Sequence, residues 1–191
     1  MELLLIRHAL PLRVDEGAGG GPADPALAPL GHVQSSALAT WLAAEPVDAI
    51  WSSPMRRARE TAAPLAERLQ LSVTVDDGLA EYDKHALSYI PIEELKAAND
   101  PRWYELPERP EDFVGEVVEA VERVIAAHAG QRVAVVCHGG VINAYAGHVL
   151  GISDPLFFLP GYTSISRVLA SGNGIRSISS LNEAGHIRGV S

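Results

Sequence analysis

Three short stretches of this chain combine residue types that suit one kind of chemistry. Arg7-His8 directly follows an apolar run, Ser52-Ser53 is followed by Arg56-Arg57, and His138-Gly139-Gly140 follows a second apolar run. Guanidinium groups bind phosphate oxygens in two-pronged fashion, and glycine-opened helix N-termini offer backbone N–H groups to anions. Imidazole can donate a hydrogen bond or act as a nucleophile. Gathered in one place, these groups would suit a phosphoryl group. Such a site also needs a proton carrier, and Glu81, just beyond a predicted strand, is placed to be one.

The elements that must position these residues follow from hydrophobic patterning. Residues 2–6 and 132–136 are continuous apolar runs, the pattern of strands covered on both faces. Residues 47–51 read as another strand and 71–75 as a short third one. Residues 30–44 place Val33, Ala37, Leu38 and Trp41 at helical spacing, which predicts an amphipathic helix with those residues inward. Ser53-Pro54 reads as an N-cap followed by proline at the first helical position, opening a helix towards residue 69 that is perturbed near Pro64. Helices are also predicted over 113–128, with Val117, Val121, Val124 and Ile125 on one face, and from Gly139 to Leu150. A short one is expected around 92–98. Residues 164–170 and 175–178, joined by Ser171-Gly172-Asn173-Gly174, read as a hairpin at the sheet edge. The glycine-rich stretch 17–22 reads as a loop, and residues 82–110 as a small cap or insertion.

Strands alternating with helices imply an α/β fold, a three-layer sandwich whose mostly parallel central sheet is flanked by helices. In such sheets ligands bind beyond the carboxyl ends of the strands. If the strands that deliver Arg7-His8, Ser52-Ser53 and His138-Gly139-Gly140 are parallel neighbours, the three clusters meet. The 191 residues are expected to form a single domain.

Composition narrows the partners. With 15 Lys and Arg against 24 Asp and Glu, the net charge is −9, so neither nucleic acid nor an anionic membrane is an expected partner. Any anion must be held locally, against the field of the whole protein. The single cysteine, Cys137, excludes an intramolecular disulfide framework and fits a reducing compartment. No apolar run is long enough to cross a bilayer, and a cytoplasmic location is expected.

The motifs Leu5-Ile6-Arg7-His8-Ala9, Leu27-Ala28-Pro29-Leu30-Gly31-His32, Ser52-Ser53-Pro54-Met55-Arg56-Arg57-Ala58-Arg59-Glu60-Thr61 and Val136-Cys137-His138-Gly139-Gly140, in this order, resemble the histidine phosphatase superfamily. That group includes the cofactor-dependent phosphoglycerate mutases. The resemblance implies a phosphoglycerate mutase-like fold and a metal-independent phosphatase with no cofactor, acting on a small phosphorylated substrate. It further implies that His8 attacks phosphorus and becomes phosphohistidine. Arg7, Arg57 and His138 would hold the phosphoryl oxygens, and Glu81 would protonate the leaving oxygen and then activate water. A phosphoglycerate mutase-type phosphomutase and a catalytically weak phospho-ligand-binding module are the alternatives, and a homodimer is left open.

The chain departs from the family pattern at three places. Ala9 stands where glycine is usual, and should keep an ordinary backbone because its Cβ disfavours positive φ. Pro11 and Val14 replace a hydroxyl residue and an asparagine. The glycine-bearing stretch that follows the acidic residue in mutases is missing, Glu81 being followed by Tyr82-Asp83-Lys84, which argues against a dedicated mutase and leaves open a shared acid role for Asp83.

Other residues invite plainer readings. Arg56 and Glu60 form an i,i+4 pair on a solvated helix face, whereas Arg57 occupies the motif's phosphate-binding position. Ser52 and Ser53 read as helix-capping residues, His32 as a surface residue, and the tyrosines and tryptophan of residues 82–110 as packing against the core. Cys137 lacks the arginine six positions later that cysteine-dependent phosphatases use, position 143 being Asn143. It reads as a small buried residue.

Overall fold

The computed structural model describes residues 1–16, 21–104 and 110–190. Of the loop predicted at 17–22, residues 17–20 therefore lie outside the described residues, as do 105–109 of the cap. The strands are β1 (Glu2–Arg7), β2 (Ala49–Ser52), β3 (Val73–Val75), β4 (Arg132–Cys137), β5 (Ile165–Ala170) and β6 (Arg176–Glu183). They form one sheet in the order β3-β2-β4-β1-β5-β6. β1, β2, β3 and β4 run parallel, and β5 and β6 are antiparallel additions at one edge. The helices are α1 (Pro29–Leu42), α2 (Arg56–Leu69), α3 (Ile92–Ala97), α4 (Pro110–Ala127) and α5 (Gly139–Leu150).

The continuous apolar runs of β1 and β4 are explained by two separate cores. Because side chains alternate across a strand, Leu3, Leu5, Val133, Val135 and Cys137 face one side, where Val117, Val121 and Val124 of α4 and Ile142 and Tyr145 of α5 cover them. Leu4, Ile6, Ala134 and Val136 face the other, against Leu38 and Leu42 of α1 and Ala58, Ala62 and Leu65 of α2. Both faces are dry, so neither strand can alternate with polar residues. This is the expected α/β sandwich.

Several local expectations need correction. α1 buries Gln34, Ser35, Leu38, Ala39 and Leu42, while Val33 and Trp41 are 53% and 48% exposed. Its inner face is built of small and polar residues because α2 and the chain after β1 approach closely. A Cβ on Gly31 would lie 2.1 Å from the Leu10 carbonyl oxygen, and Gln34 Oε1 accepts from the Leu10 N–H at 2.9 Å. α2 starts at Arg56 with Met55 at its N-cap and no side-chain cap, so Ser53 does not cap it. β3 is only three residues long. The hairpin is as expected, with β6 running on to Glu183.

Candidate active site

The site lies where β2, β4 and β1, adjacent and parallel, release their chains. Backbone hydrogen bonds continue past the strand ends. The His8 N–H donates to the Cys137 carbonyl at 2.9 Å and the Ser53 N–H to the Val136 carbonyl at 2.9 Å. The three polar clusters are thereby held side by side by the same lateral bonding that pairs the strands.

His8 is 3% exposed. Its Nδ1 lies 2.8 Å from the carbonyl oxygen of Ala9, which can only accept, so Nδ1 carries the proton and Nε2 keeps its lone pair. Burial, and then the charges of Arg57 and Arg7, push the His8 pKa well below its ordinary value, which keeps the ring neutral. Ala9 adopts no positive φ. Its N–H donates to Thr61 Oγ1 at 2.9 Å, and that hydroxyl donates to the Arg57 carbonyl at 2.7 Å, linking the histidine's neighbour to the first turn of α2.

His138, at the N-cap of α5, places its ring centroid 5.1 Å from that of His8. Its Nε2 is 2.7 Å from Ser53 Oγ, and the Met55 N–H donates to the same hydroxyl at 3.2 Å. Ser53 is thus a partner of His138. His138 is wholly buried; burial, then Arg57, His8 and Arg7, depress its pKa well below the ordinary value. Its Nδ1 has no partner among the described residues.

Arg57 is 1% exposed. One terminal nitrogen, Nη2, donates to Asp83 Oδ1 at 2.8 Å, and the guanidinium carbon lies 4.7 Å from the Tyr89 ring centroid. Nε and Nη1 have no partner among the described residues. Burial disfavours the charge, but Asp83 and Tyr89 outweigh it and raise the pKa. Arg7 stacks 3.9 Å from the ring centroid of Tyr162, and its Nη1 donates to the Pro160 carbonyl at 2.7 Å. Thr163, left-handed at φ 56°, turns the chain there so that its N–H reaches the Arg7 carbonyl at 3.0 Å. A β-branched residue in that conformation is uncommon.

Glu81 is 8% exposed. Its Oε2 accepts from the Gly140 N–H at 2.8 Å and its Oε1 from the Tyr82 N–H at 3.1 Å. Burial, reinforced by the nearby Asp83 carboxylate, raises its pKa to about 7. Gly140 must lack a side chain, since a Cβ there would lie 2.3 Å from Glu81 Oε1.

All five residues singled out by sequence therefore converge. Arg7, His8, Arg57 and Glu81 line a cavity of about 620 Å³, and the wholly buried His138 has its ring centroid 5.1 Å from that of His8. Asp83, weighed in the sequence as a second acid, pairs with Arg57. Arg56 pairs with Glu60 at 2.7 Å on the exposed face, and His32 is exposed. Sequence reasoning missed Ser53, Tyr89 and Tyr162. Tyr89 stacks on Arg57 instead of packing in the core, and the side chains of Trp103 and Tyr104 lie outside the described residues. No sequence signal pointed to Tyr89, which reaches the site through backbone pairing, the N–H and carbonyl of Val14 bonding those of Tyr89 at 2.8 Å.

Chemically, the arrangement offers a neutral imidazole with a free lone pair, two cations, unpaired donors and a carboxyl group that holds its proton near neutrality. The family model of the histidine phosphatase superfamily (branch 1) matches residues 3–183. Phosphoserine phosphatase 1 of Hydrogenobacter thermophilus is 33% identical over 177 residues, covering 87% of this chain and 84% of that protein. In structure, mycobacterial glucosyl-3-phosphoglycerate phosphatase with inorganic phosphate superposes with a TM-score of 0.73 at 25% identity, over 97% of this chain and 98% of that one. YhfR of Bacillus stearothermophilus superposes with a TM-score of 0.77 at 22% identity, over 98% and 99%.

Proposed function

The chain belongs to the histidine phosphatase superfamily, and from that premise we propose that it hydrolyses a small phosphomonoester through a phosphohistidine on His8, without a metal. The observation that carries this reading is the set of buried polar atoms left without partners among the described residues beside a neutral histidine: the donors Arg57 Nε and Nη1, and His138 Nδ1. Buried unpaired donors, above all charged ones, are costly. Phosphoryl oxygens would supply what they lack.

In the first step the Nε2 lone pair of His8 attacks phosphorus as the bond to the leaving oxygen breaks, and Glu81 gives that oxygen its proton. A carboxyl titrating near 7 is suited to hold a proton and then release it at neutral pH. In the second step the Glu81 carboxylate takes a proton from water, the water oxygen attacks phosphorus, and the P–N electrons return to Nε2. Arg7, Arg57 and His138 hold the equatorial oxygens, with the Ser53 hydroxyl donating to His138 Nε2 so that Nδ1–H faces the anion. Fixed positive charge stabilises the transferring group in both steps, and Arg7 and Arg57 fill the part that a metal plays elsewhere.

Transfer to water, not to a second substrate hydroxyl, is favoured because the relatives are named as phosphatases. The test is turnover of a generic aryl phosphate with and without EDTA, together with acid-labile, alkali-stable labelling of His8 in rapidly quenched enzyme. Turnover that EDTA abolishes, or an His8→Ala variant as active as wild type, refutes the mechanism.

A further inference from the structure

Beyond the phosphate-binding end, the cavity is walled chiefly by apolar side chains that belong to neither core. Ile90 of the cap, Ile92 and Leu95 of α3, and Leu156 and Leu159 of the segment after α5 line it, and none of the five takes part in the two core clusters. Phe158, also on the wall, packs its other side on the core around α4 and α5. Apolar groups held half-buried around a water-accessible space gain most when an apolar ligand displaces the water.

The polar side chains of the wall do not suit a small acidic leaving group. Arg57 is engaged by Asp83, Arg7 lies against Tyr162 and the Pro160 carbonyl, and Glu81 and Asp83 present carboxyl oxygens to the cavity. Among the described residues the further cations of the wall are Lys96 and Arg102, which stand on exposed residues, and Arg102 makes a two-pronged pair with Asp100. A serine or glycerate carboxylate would meet an apolar wall on one side and the carboxyl groups of Glu81 and Asp83 on the other, with Lys96 and Arg102 as the described cations of the outer wall. The volume, about 620 Å³, is also at the scale of pockets that enclose drug-sized ligands.

We infer that the leaving group of the substrate is a bulky apolar alcohol, a branched, alicyclic or aryl-bearing one, seated against Ile90, Ile92, Leu95, Leu156, Phe158 and Leu159. This rests on the phosphatase reading only for which end of the ligand is the phosphoryl group. It departs from the compact polar substrate named for phosphoserine phosphatase 1.

Two series of equal head-group chemistry test it. In the first, kcat/KM is measured for ethyl, butyl and hexyl phosphate, whose leaving oxygens are equally basic, beside phosphoserine. In the second, Kd is measured by calorimetry for the matching ethyl, butyl and hexyl phosphonates, which are not hydrolysed. A buried methylene is worth about fourfold, so a rise of at least tenfold from ethyl to hexyl is expected in both series, with phosphoserine below hexyl phosphate. Replacing Ile92 and Leu95 by serine should reduce that gain. Hydrolysis with no chain-length gain in either series, or phosphoserine preferred to hexyl phosphate, overturns the inference and leaves the phosphatase reading standing. A gain in phosphonate binding with no hydrolysis of any ester supports the apolar subsite and refutes the phosphatase reading.

Discussion

Replacing Glu81 by glutamine should change activity and stability in opposite directions, with a pH dependence that the geometry dictates. In the folded protein the Glu81 pKa rises from the ordinary 4.5 to about 7. At ~1.4 kcal/mol per tenfold, that shift corresponds to about 3 kcal/mol. The sign follows from proton binding. Between pH 4.5 and 7 the folded chain holds a proton at Glu81 that the unfolded chain has released, so this group's contribution is intact below 4.5 and lost as pH rises through 7. Above pH 7 wild type carries the full cost of a buried carboxylate. Glutamine never ionises, but only one of its terminal atoms can accept, whereas Glu81 accepts from both Gly140 and Tyr82. The lost bond costs about 1 kcal/mol. By pH 5 wild type has already lost roughly 1 kcal/mol of this contribution, so Glu81→Gln should be about as stable as wild type there and more stable by about 2 kcal/mol at pH 8. His8 and His138, with depressed pKa values, act in the opposite sense, favouring the folded state as pH rises towards 6.5. They are present in both proteins and drop out of the difference. Urea unfolding at several pH values between 5 and 8 measures it. In the same variant, kcat for an alkyl phosphate should fall about 10²- to 10⁴-fold, and less for p-nitrophenyl phosphate, whose leaving oxygen needs no proton. A stability difference that is flat with pH, or an unchanged rate on the alkyl ester, would refute both the buried titration and the acid role.

Gly140→Ala should lower kcat by about tenfold or more while unfolding at a urea concentration near that of wild type. Its Cβ meets the carboxyl end of the Glu81 side chain rather than backbone and moves it off the N–H groups that hold it, and paired kinetics and denaturation check this. Gly31→Ala should instead be destabilised by roughly 2 kcal/mol or more, because there the Cβ meets the Leu10 carbonyl at 2.1 Å; chemical denaturation reads the loss. Arg57→Lys cannot reproduce the fork of Nε and Nη1, so phosphate affinity measured by calorimetry should fall at least tenfold. Inorganic phosphate at a hundred times its Kd should stabilise wild type by about 2.7 kcal/mol, visible as a rise in Tm, and the same concentration should give Arg57→Lys a smaller rise.

The α/β class, most elements and the five converging residues were legible in the sequence, because strands buried on both faces need unbroken apolar runs such as Leu3–Leu4–Leu5–Ile6. The sequence marked Gly139-Gly140 as a helix opening whose N–H groups would meet an anion, and in the structure the Gly140 N–H meets the Glu81 side chain. It misread α1, where the packed face is made of Gly31, Gln34 and Ser35 and the larger Val33 and Trp41 are exposed. Hydrophobic periodicity detects apolar faces, and this contact depends on close approach and backbone hydrogen bonds. Ser53 was misread for a related reason, its hydroxyl bonding a histidine 85 positions away.

By itself, then, the sequence picked out the residues that meet at the site and the strands that bring them there, because residue type and apolar patterning are local properties. Only the tertiary structure decided their protonation and their company. The tautomer of His8 depends on the Ala9 carbonyl, the neutrality of both histidines on burial beside two guanidinium groups, and the elevated pKa of Glu81 on desolvation beside Asp83. The apolar wall likewise exists only because the cap and the segment after α5 close on the same cavity. Desolvation and through-space charge depend on what surrounds a group in three dimensions, and chain order does not record it.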